Sequence, residues 1–178
     1  MSKASMFASV LPAVFAVACS TPPASMSLAD VPERLKPASN ESLTMVVPAK
    51  GVQIYECRAR KEDGIYEWAF VAPEADLFDV RGNRIGRHYA GPHWEGSDGS
   101  KIVGSVRERA EAPVADAIPW LLLGAKSVGA DGAFSKVTSI QRVNTAGGTA
   151  PKGGCSQAAA GKPVRMPYTA DYYFFSAK

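Results

Sequence analysis

The sequence predicts a mainly β protein: a single-domain antiparallel β-sandwich or partly closed barrel of roughly eight to ten short strands. Two observations lead to this fold class. Short runs rich in β-branched and aromatic residues recur along the chain, separated by turns that contain Gly, Asp or Pro. In addition, no stretch beyond the N-terminal region sustains a helical hydrophobic period with capping residues at its ends.

The first half of the predicted domain contains four runs with strand character. Residues 44–47 form a β-branched run that ends at a proline. Residues 51–59 carry apolar groups on both faces, as expected for a strand inside a sandwich or barrel. The charged tip 61–64, which ends in Asp-Gly, predicts a hairpin turn that leads into residues 66–72. Residues 77–80 follow, and a glycine-rich stretch comes after them.

The second half continues the same pattern. Residues 101–107 follow a Ser-Asp-Gly-Ser turn as another strand. Residues 118–123 form the most apolar run beyond the N-terminal region; they are too short to span a membrane and predict buried core, as a strand or a single helical turn. Residues 134–144 have apolar groups on both faces. Residues 164–168 and 171–176 close the chain, and aromatic residues alternate between the two faces of the last run.

Composition limits the function classes. The chain has 178 residues, which suits one domain, and a formal net charge of only +3. The basic residues are scattered, and no basic stripe with interleaved aromatic residues is present, so no nucleic-acid partner is expected.

The N-terminus predicts export. Residues 1–18 carry one lysine, Lys3, near their start, and an apolar run that fits a signal peptide follows it. The run ends in Ala16-Val17-Ala18-Cys19, which resembles the lipobox of bacterial lipoproteins, although the usual leucine is Ala16 here. By this resemblance Cys19 is lipidated and the membrane is a partner through that anchor. Plain secretion after cleavage at the same small residues is the alternative, and a non-exported apolar N-terminus is a third.

The remaining chain is divided by composition into a tether and a domain. Residues 19–38 are rich in Ser, Pro and Ala and predict a tether, and residues 39–178 form the single β domain. The expected location is the cell envelope, as an outer-membrane lipoprotein that faces the periplasm or the surface, or else secretion.

The cysteine count agrees with export. With Cys19 set aside, Cys57 and Cys155 remain as an even pair, and an oxidising compartment favours a disulfide between them. Two unrelated free thiols are the alternative.

Residues 82–100 contain the candidate functional side chains. This stretch holds both histidines of the protein, and the candidates for ligand or metal binding are His88, His93, Trp94, Glu95 and Asp98. Imidazole and carboxylate groups are suitable ligands for zinc or copper, and a histidine beside a carboxylate is suited to acid–base catalysis. The spacing of the two histidines matches no established metal motif, and the turn at Gly91-Pro92 would have to bring them together. The alternative is a purely structural role, in which His88 forms a hydrogen bond to a turn and His93 packs beside Trp94.

Two function classes follow. The first is a binding or structural module of the cell envelope, whose ligand is an unidentified envelope component or small molecule; Walker, dinucleotide and Gly-x-Ser-x-Gly motifs are lacking and no cofactor is expected. The second is a small exported metal- or histidine-dependent hydrolase with its site around His88, His93, Glu95 and Asp98. Catalysis is left open by the sequence.

Several segments together resemble the DUF3455 domain family, which comprises uncharacterised exported proteins of bacteria and fungi. The resemblance implies a single exported domain and brings no assigned activity or catalytic residue. The matching segments run in order over most of the chain: 51–57, Trp68, 91–94 with 98–100, 118–122, 140–151, Cys155 and 167–174.

Overall fold

The computed structural model of the chain describes residues 30–178. The predicted signal peptide, the predicted lipidation site Cys19 and the first part of the predicted tether lie outside these residues. Within the described part, no helix has the length and apolar character needed to cross a membrane.

The described chain is mainly β, as predicted, and its strands form one antiparallel sheet. Each strand pairs with the next along the chain, and the last strand pairs with the first, so the sheet closes on itself. The barrel is irregular, because several pairings contain bulges and one strand has only four residues. The eight strands of residues 30–178 are β1 Glu41–Ala59, β2 Tyr66–Phe78, β3 Arg84–Tyr89, β4 His93–Gly96, β5 Lys101–Ala110, β6 Trp120–Ser127, β7 Val137–Gly147 and β8 Pro163–Ala177.

Three of the strands are longer than the short strands predicted. The runs 44–47 and 51–59 belong to one strand, β1, and β2 and β8 likewise each join two predicted runs. Each long strand continues through a proline: Pro48, Pro73 or Pro167. All three prolines pair with a strand on one side but lie beyond the pairing on the other side. A residue without an N–H group is tolerated there because no neighbour requires that donor.

Side-chain alternation produces two cores. The larger core lies inside the closed sheet, where Tyr172 and Phe174 of β8 are buried. Their neighbours Tyr173 and Phe175 point to the other face and belong to a smaller core outside the sheet. The sequence correctly predicts this alternation of aromatic residues.

The N-terminal segment covers the outer core. Val31 and Leu35 are buried there, and Leu35 is the last residue of a short 3₁₀ helix, Glu33–Leu35. The Nε2 amide of Gln141 on β7 donates to the Leu35 carbonyl at 2.6 Å. The last part of the predicted tether therefore contacts the β domain through Val31 and Leu35.

The predicted disulfide is present between Cys57 of β1 and Cys155, with 5.4 Å between the two Cα atoms. Cys155 lies in the connection from β7 to β8, just before a second 3₁₀ helix, Gln157–Ala159. The same connection is fixed to β1 by backbone hydrogen bonds from Cys57 N to Lys162 O and from Gly161 N to Cys57 O. The disulfide thus joins a strand of the closed sheet to the β7–β8 connection, which is the longest connection between consecutive strands of the described chain.

Candidate functional site

The hairpin of β3 and β4 determines where the predicted site residues lie. His88 pairs with Trp94, and Tyr89 pairs with His93, across the two strands. Directly paired residues share a face of the sheet, and adjacent residues lie on opposite faces. His88 and Trp94 therefore face the interior of the closed sheet, whereas His93 lies on the outer face together with Glu95.

His88 is a buried, neutral histidine. It is only 3% exposed, and its ring stacks on the Trp94 indole with 4.2 Å between the ring centroids. Burial lowers the pKa of His88 from 6.5 to about 3. The Nδ1 atom lies 2.8 Å from the His93 carbonyl oxygen. Because a carbonyl only accepts, Nδ1 must carry the proton, and Nε2 of the neutral ring is an acceptor.

The outer-face residues form their own contacts. His93 Nδ1 donates to the Ala90 carbonyl at 2.6 Å, and its ring stacks on Tyr89. The Tyr89 hydroxyl donates to the Glu95 carboxylate at 2.5 Å, and Arg87 forms an ion pair with Glu95 at 3.1 Å. The hydrogen bond from Tyr89 lowers the pKa of Glu95, which favours the ionised carboxylate. Glu95 is therefore part of a surface cluster.

Asp98 fixes a loop beyond the hairpin. Its carboxylate accepts hydrogen bonds from the Ala133 N–H at 2.7 Å, the Ser100 hydroxyl at 2.6 Å and the Ser100 N–H at 3.0 Å. These donors, above all the Ala133 N–H, lower the pKa of Asp98 to about 2. The Ser100 hydroxyl in turn accepts from the N–H of Phe134, a core residue. Asp98 thus connects the turn after β4 to the segment before β7.

Within residues 30–178, the structure divides the predicted set, and the pair it brings together inside the sheet is His88 and Trp94. His93 and Glu95 lie on the opposite face of the hairpin, and Asp98 belongs to a separate loop. Among residues 30–178, no group of three or more His, Cys, Asp or Glu side chains is arranged to hold a metal ion. Each histidine binds a backbone carbonyl near the Gly91–Pro92 turn, as expected for His88. The ring that packs on Trp94 is that of His88, whereas His93 stacks on Tyr89.

His88 and Trp94 line a cavity of ≈ 500 Å³ inside the closed sheet. All eight strands contribute to its wall, as expected for the interior of a closed sheet that side chains do not fill completely. At one end the lining includes exposed apolar side chains: Phe70 is 54% exposed, Val71 43% and Val106 53%. These three residues define the mouth of the cavity, and Arg109 lines the cavity as an exposed residue of β5.

Several polar groups that line the cavity have fewer hydrogen-bond or charge partners than they could bind. The Nε2 amide of Gln53 and the Nε1 of Trp94 are buried donors without a hydrogen bond of normal geometry within residues 30–178. The Gln53 side chain lies close enough to the Tyr168 hydroxyl to act against the rise in its pKa. The guanidinium of Arg142 donates through Nε and Nη2 to the Pro119 carbonyl, at 3.1 and 2.8 Å. No carboxylate of residues 30–178 forms an ion pair with Arg142. Buried donors and an unpaired cation are costly unless a ligand or water satisfies them.

Tyrosines surround the same guanidinium. Burial raises the pKa of Tyr172 and of Tyr55, and the Arg142 charge acts in the opposite direction on both hydroxyls. Burial likewise raises the pKa of Tyr168. The Tyr55 hydroxyl donates to the Gly148 carbonyl at 2.7 Å, and that of Tyr172 lies 3.4 Å from that of Tyr168. Arg142 is therefore placed among neutral phenols.

Gln53 and Arg142 are not among the site residues predicted from the sequence. A signal for both exists in the strand pattern. Gln53 precedes Tyr55 by two positions, and Arg142 follows Ile140 by two, so each polar residue shares the face of an inward apolar neighbour. A polar residue on the apolar face of a strand indicates either the end of the strand or a polar site in the interior. Only the closed sheet shows that Gln53 and Arg142 belong to an interior site.

Comparison with known proteins gives one result. The family described as "Protein of unknown function (DUF3455)" matches residues 37–176, which include β1 to β7 and all but the last residue of β8. Neither curated proteins nor solved structures give a match to the chain. The matched region extends from the end of the N-terminal segment to the last strand, so the chain belongs to the DUF3455 family.

Proposed function

We propose that this protein is a small-molecule binding module of the cell envelope, exported and held at the membrane by a lipid on Cys19. The observation that carries the binding function is the cavity, in which the donors of Gln53 and Trp94 are buried without a hydrogen bond of normal geometry in the described chain. Binding sites are typically concave and mostly apolar, with a few polar groups that fix orientation. The mouth of a closed sheet is a common position for such a site.

The wall of the cavity supports binding of a ligand with an apolar body. Tyr55 and Phe70 pack edge to face with 5.7 Å between their centroids, and Trp94 and Tyr172 do so at 5.3 Å. These rings combine a large contact area with few rotatable bonds, so they order on binding at low entropic cost. The mouth residues leave an apolar surface open to solvent, which a ligand would cover.

Occlusion of the mouth tests the binding function. Val106→Trp places a larger side chain at an exposed mouth position and is expected to weaken binding of N-phenyl-1-naphthylamine, an uncharged fluorescent probe, by about tenfold. Fluorescence titration measures the affinity. Val114→Trp is the matched control, because Val114 is equally exposed at 54% but does not line the cavity. Failure of the probe to bind, or equal binding by the two variants, would contradict the proposal.

Export is supported by the sequence and by the disulfide. The apolar run before Cys19 fits a signal peptide, and structural disulfides persist mainly in oxidising compartments. A lipid on Cys19, which precedes the buried Val31 by twelve positions, would hold the cavity close to the membrane surface.

Replacement of the anchor cysteine tests the location. Cys19→Ala is expected to move the protein from the membrane fraction to the soluble fraction of bacterial cells, since it removes the lipid attachment site. Immunoblots of fractionated cells measure the distribution. Ser20→Ala, which keeps the cysteine, is the control and should stay with the membrane. An unchanged membrane fraction for Cys19→Ala would contradict lipidation.

A further inference from the structure

The cavity is positively charged. Its charged lining residues in the described chain are Arg142 and Arg109, and no aspartate or glutamate of that part of the chain lines it. His88 adds no charge at neutral pH, because burial lowers its pKa to about 3. A ligand that enters this cavity therefore meets a net positive field in surroundings that strengthen electrostatic interactions.

The position of Arg142 is fixed before any ligand binds. Two of its nitrogens donate to the Pro119 carbonyl, which uses only part of the five N–H groups of a guanidinium. The guanidinium also hydrogen-bonds the Tyr172 hydroxyl. These contacts use three of the five N–H groups, so two remain for a ligand. A planar guanidinium held in this way suits a carboxylate, which it binds with two parallel hydrogen bonds.

The other unpaired groups add donors of the same kind. Gln53 is 2% exposed and Trp94 is 1% exposed, and each holds an N–H without a hydrogen bond of normal geometry within residues 30–178. A carboxylate only accepts hydrogen bonds, and its two oxygens offer about four acceptor positions. One carboxylate thus complements these two buried donors and a cation that lacks an anionic partner.

The distribution of polar and apolar groups gives the ligand an orientation. The donors belong to buried residues, whereas the mouth is formed by the exposed apolar side chains of Phe70, Val71 and Val106. An amphiphilic acid would place its carboxylate inside and its apolar body toward the mouth. The aromatic walls formed by Tyr55 and Trp94 favour a flat body over a flexible chain.

We propose that the cavity binds a small aromatic carboxylic acid, with its carboxylate on Arg142 and the donors of Gln53 and Trp94 and its ring between the aromatic walls. This inference rests on the proposed binding function and adds the ligand class.

The test compares two ligands of nearly equal shape. Isothermal titration of the full chain is expected to give an affinity for naphthalene-2-carboxylate about tenfold higher than for the uncharged 2-naphthamide. The preference should weaken as the salt concentration rises, but only partly, because the pair is shielded from solvent. This comparison needs no variant, so it holds even if a substitution disturbs the fold.

Variants then locate the anion. Arg142→Met is expected to lower the affinity for the carboxylate about tenfold while it leaves that for the amide within about twofold. Arg142→Lys should retain part of the preference, because it keeps the charge but loses the planar fork. Arg109→Met is the matched comparison, because it removes the exposed charge of the lining, which solvent screens, and it is expected to lower the preference by less than about twofold.

The outcomes separate this inference from the proposed function. If N-phenyl-1-naphthylamine binds in the cavity but the two naphthalene ligands bind equally, the ligand class is wrong and the binding module stands. A preference that is lost in Arg109→Met and kept in Arg142→Met would also overturn the inference, since the anion would then lie at Arg109. If neither the probe nor either naphthalene ligand binds, the binding function fails as well.

Discussion

Removal of the disulfide should lower the free energy of unfolding by about 4–5 kcal/mol, as expected for a covalent link that closes a long loop. Cys57 and Cys155 are 98 residues apart in sequence, so the bond restricts the unfolded chain over more than half its length. Such a loss equals most of the stability of a marginal domain. The double variant Cys57→Ala/Cys155→Ala avoids stray thiols, and urea unfolding followed by tryptophan fluorescence measures the loss.

A reduction control separates the cross-link from packing. Cys57 is fully buried, so its replacement by alanine adds a small packing loss to that of the bond. Wild-type protein unfolded in the presence of dithiothreitol keeps both sulfur atoms and should lose about the same 4 kcal/mol. An identical urea midpoint with and without the reductant would show that the bond contributes nothing to stability.

The strand content was predictable because alternation is a local property. The pattern at 171–176 separates Tyr172 from Tyr173, and the structure places one inside the sheet and the other in the outer core. The lengths of the strands were not predictable in the same way. Whether a strand can continue through Pro48 depends on whether a neighbouring strand requires a backbone N–H at that position. Pro48 pairs with β8 but lies beyond the pairing with β2, and both of these strands are distant from it in sequence.

The candidate site was only partly predictable for a related reason. The sequence correctly selects residues 82–100 as a place where histidine and tryptophan meet, since His88 stacks on Trp94. It gives no indication that the register of β3 and β4 sends His93 to the other face. Arg142 and Gln53 lie far from this stretch in sequence, and they meet His88 at one cavity only because the sheet closes.

Acidification should destabilise the protein through His88. Its pKa falls from 6.5 to about 3 on folding. Between pH 6.5 and pH 3 the unfolded chain therefore binds a proton on this imidazole that the folded protein does not bind. The stability contribution of the neutral ring is complete above pH 6.5 and is lost as the pH falls toward 3. At 1.36 kcal/mol per pH unit, the free energy of unfolding should drop by about 2 kcal/mol between pH 7.5 and pH 5. Urea unfolding at a series of pH values measures this slope.

Two variants attribute the slope to the buried ring. His88→Gln removes the titrating group and is expected to flatten the dependence between pH 7.5 and pH 5, whatever it costs at neutral pH. His93→Gln keeps the backbone carbonyl that His88 contacts and should retain the slope. Asp98 does not interfere, because its pKa moves from 3.8 to about 2 and its contribution is lost only at lower pH. An unchanged slope in His88→Gln would show that this imidazole is not the group that ties folding to pH.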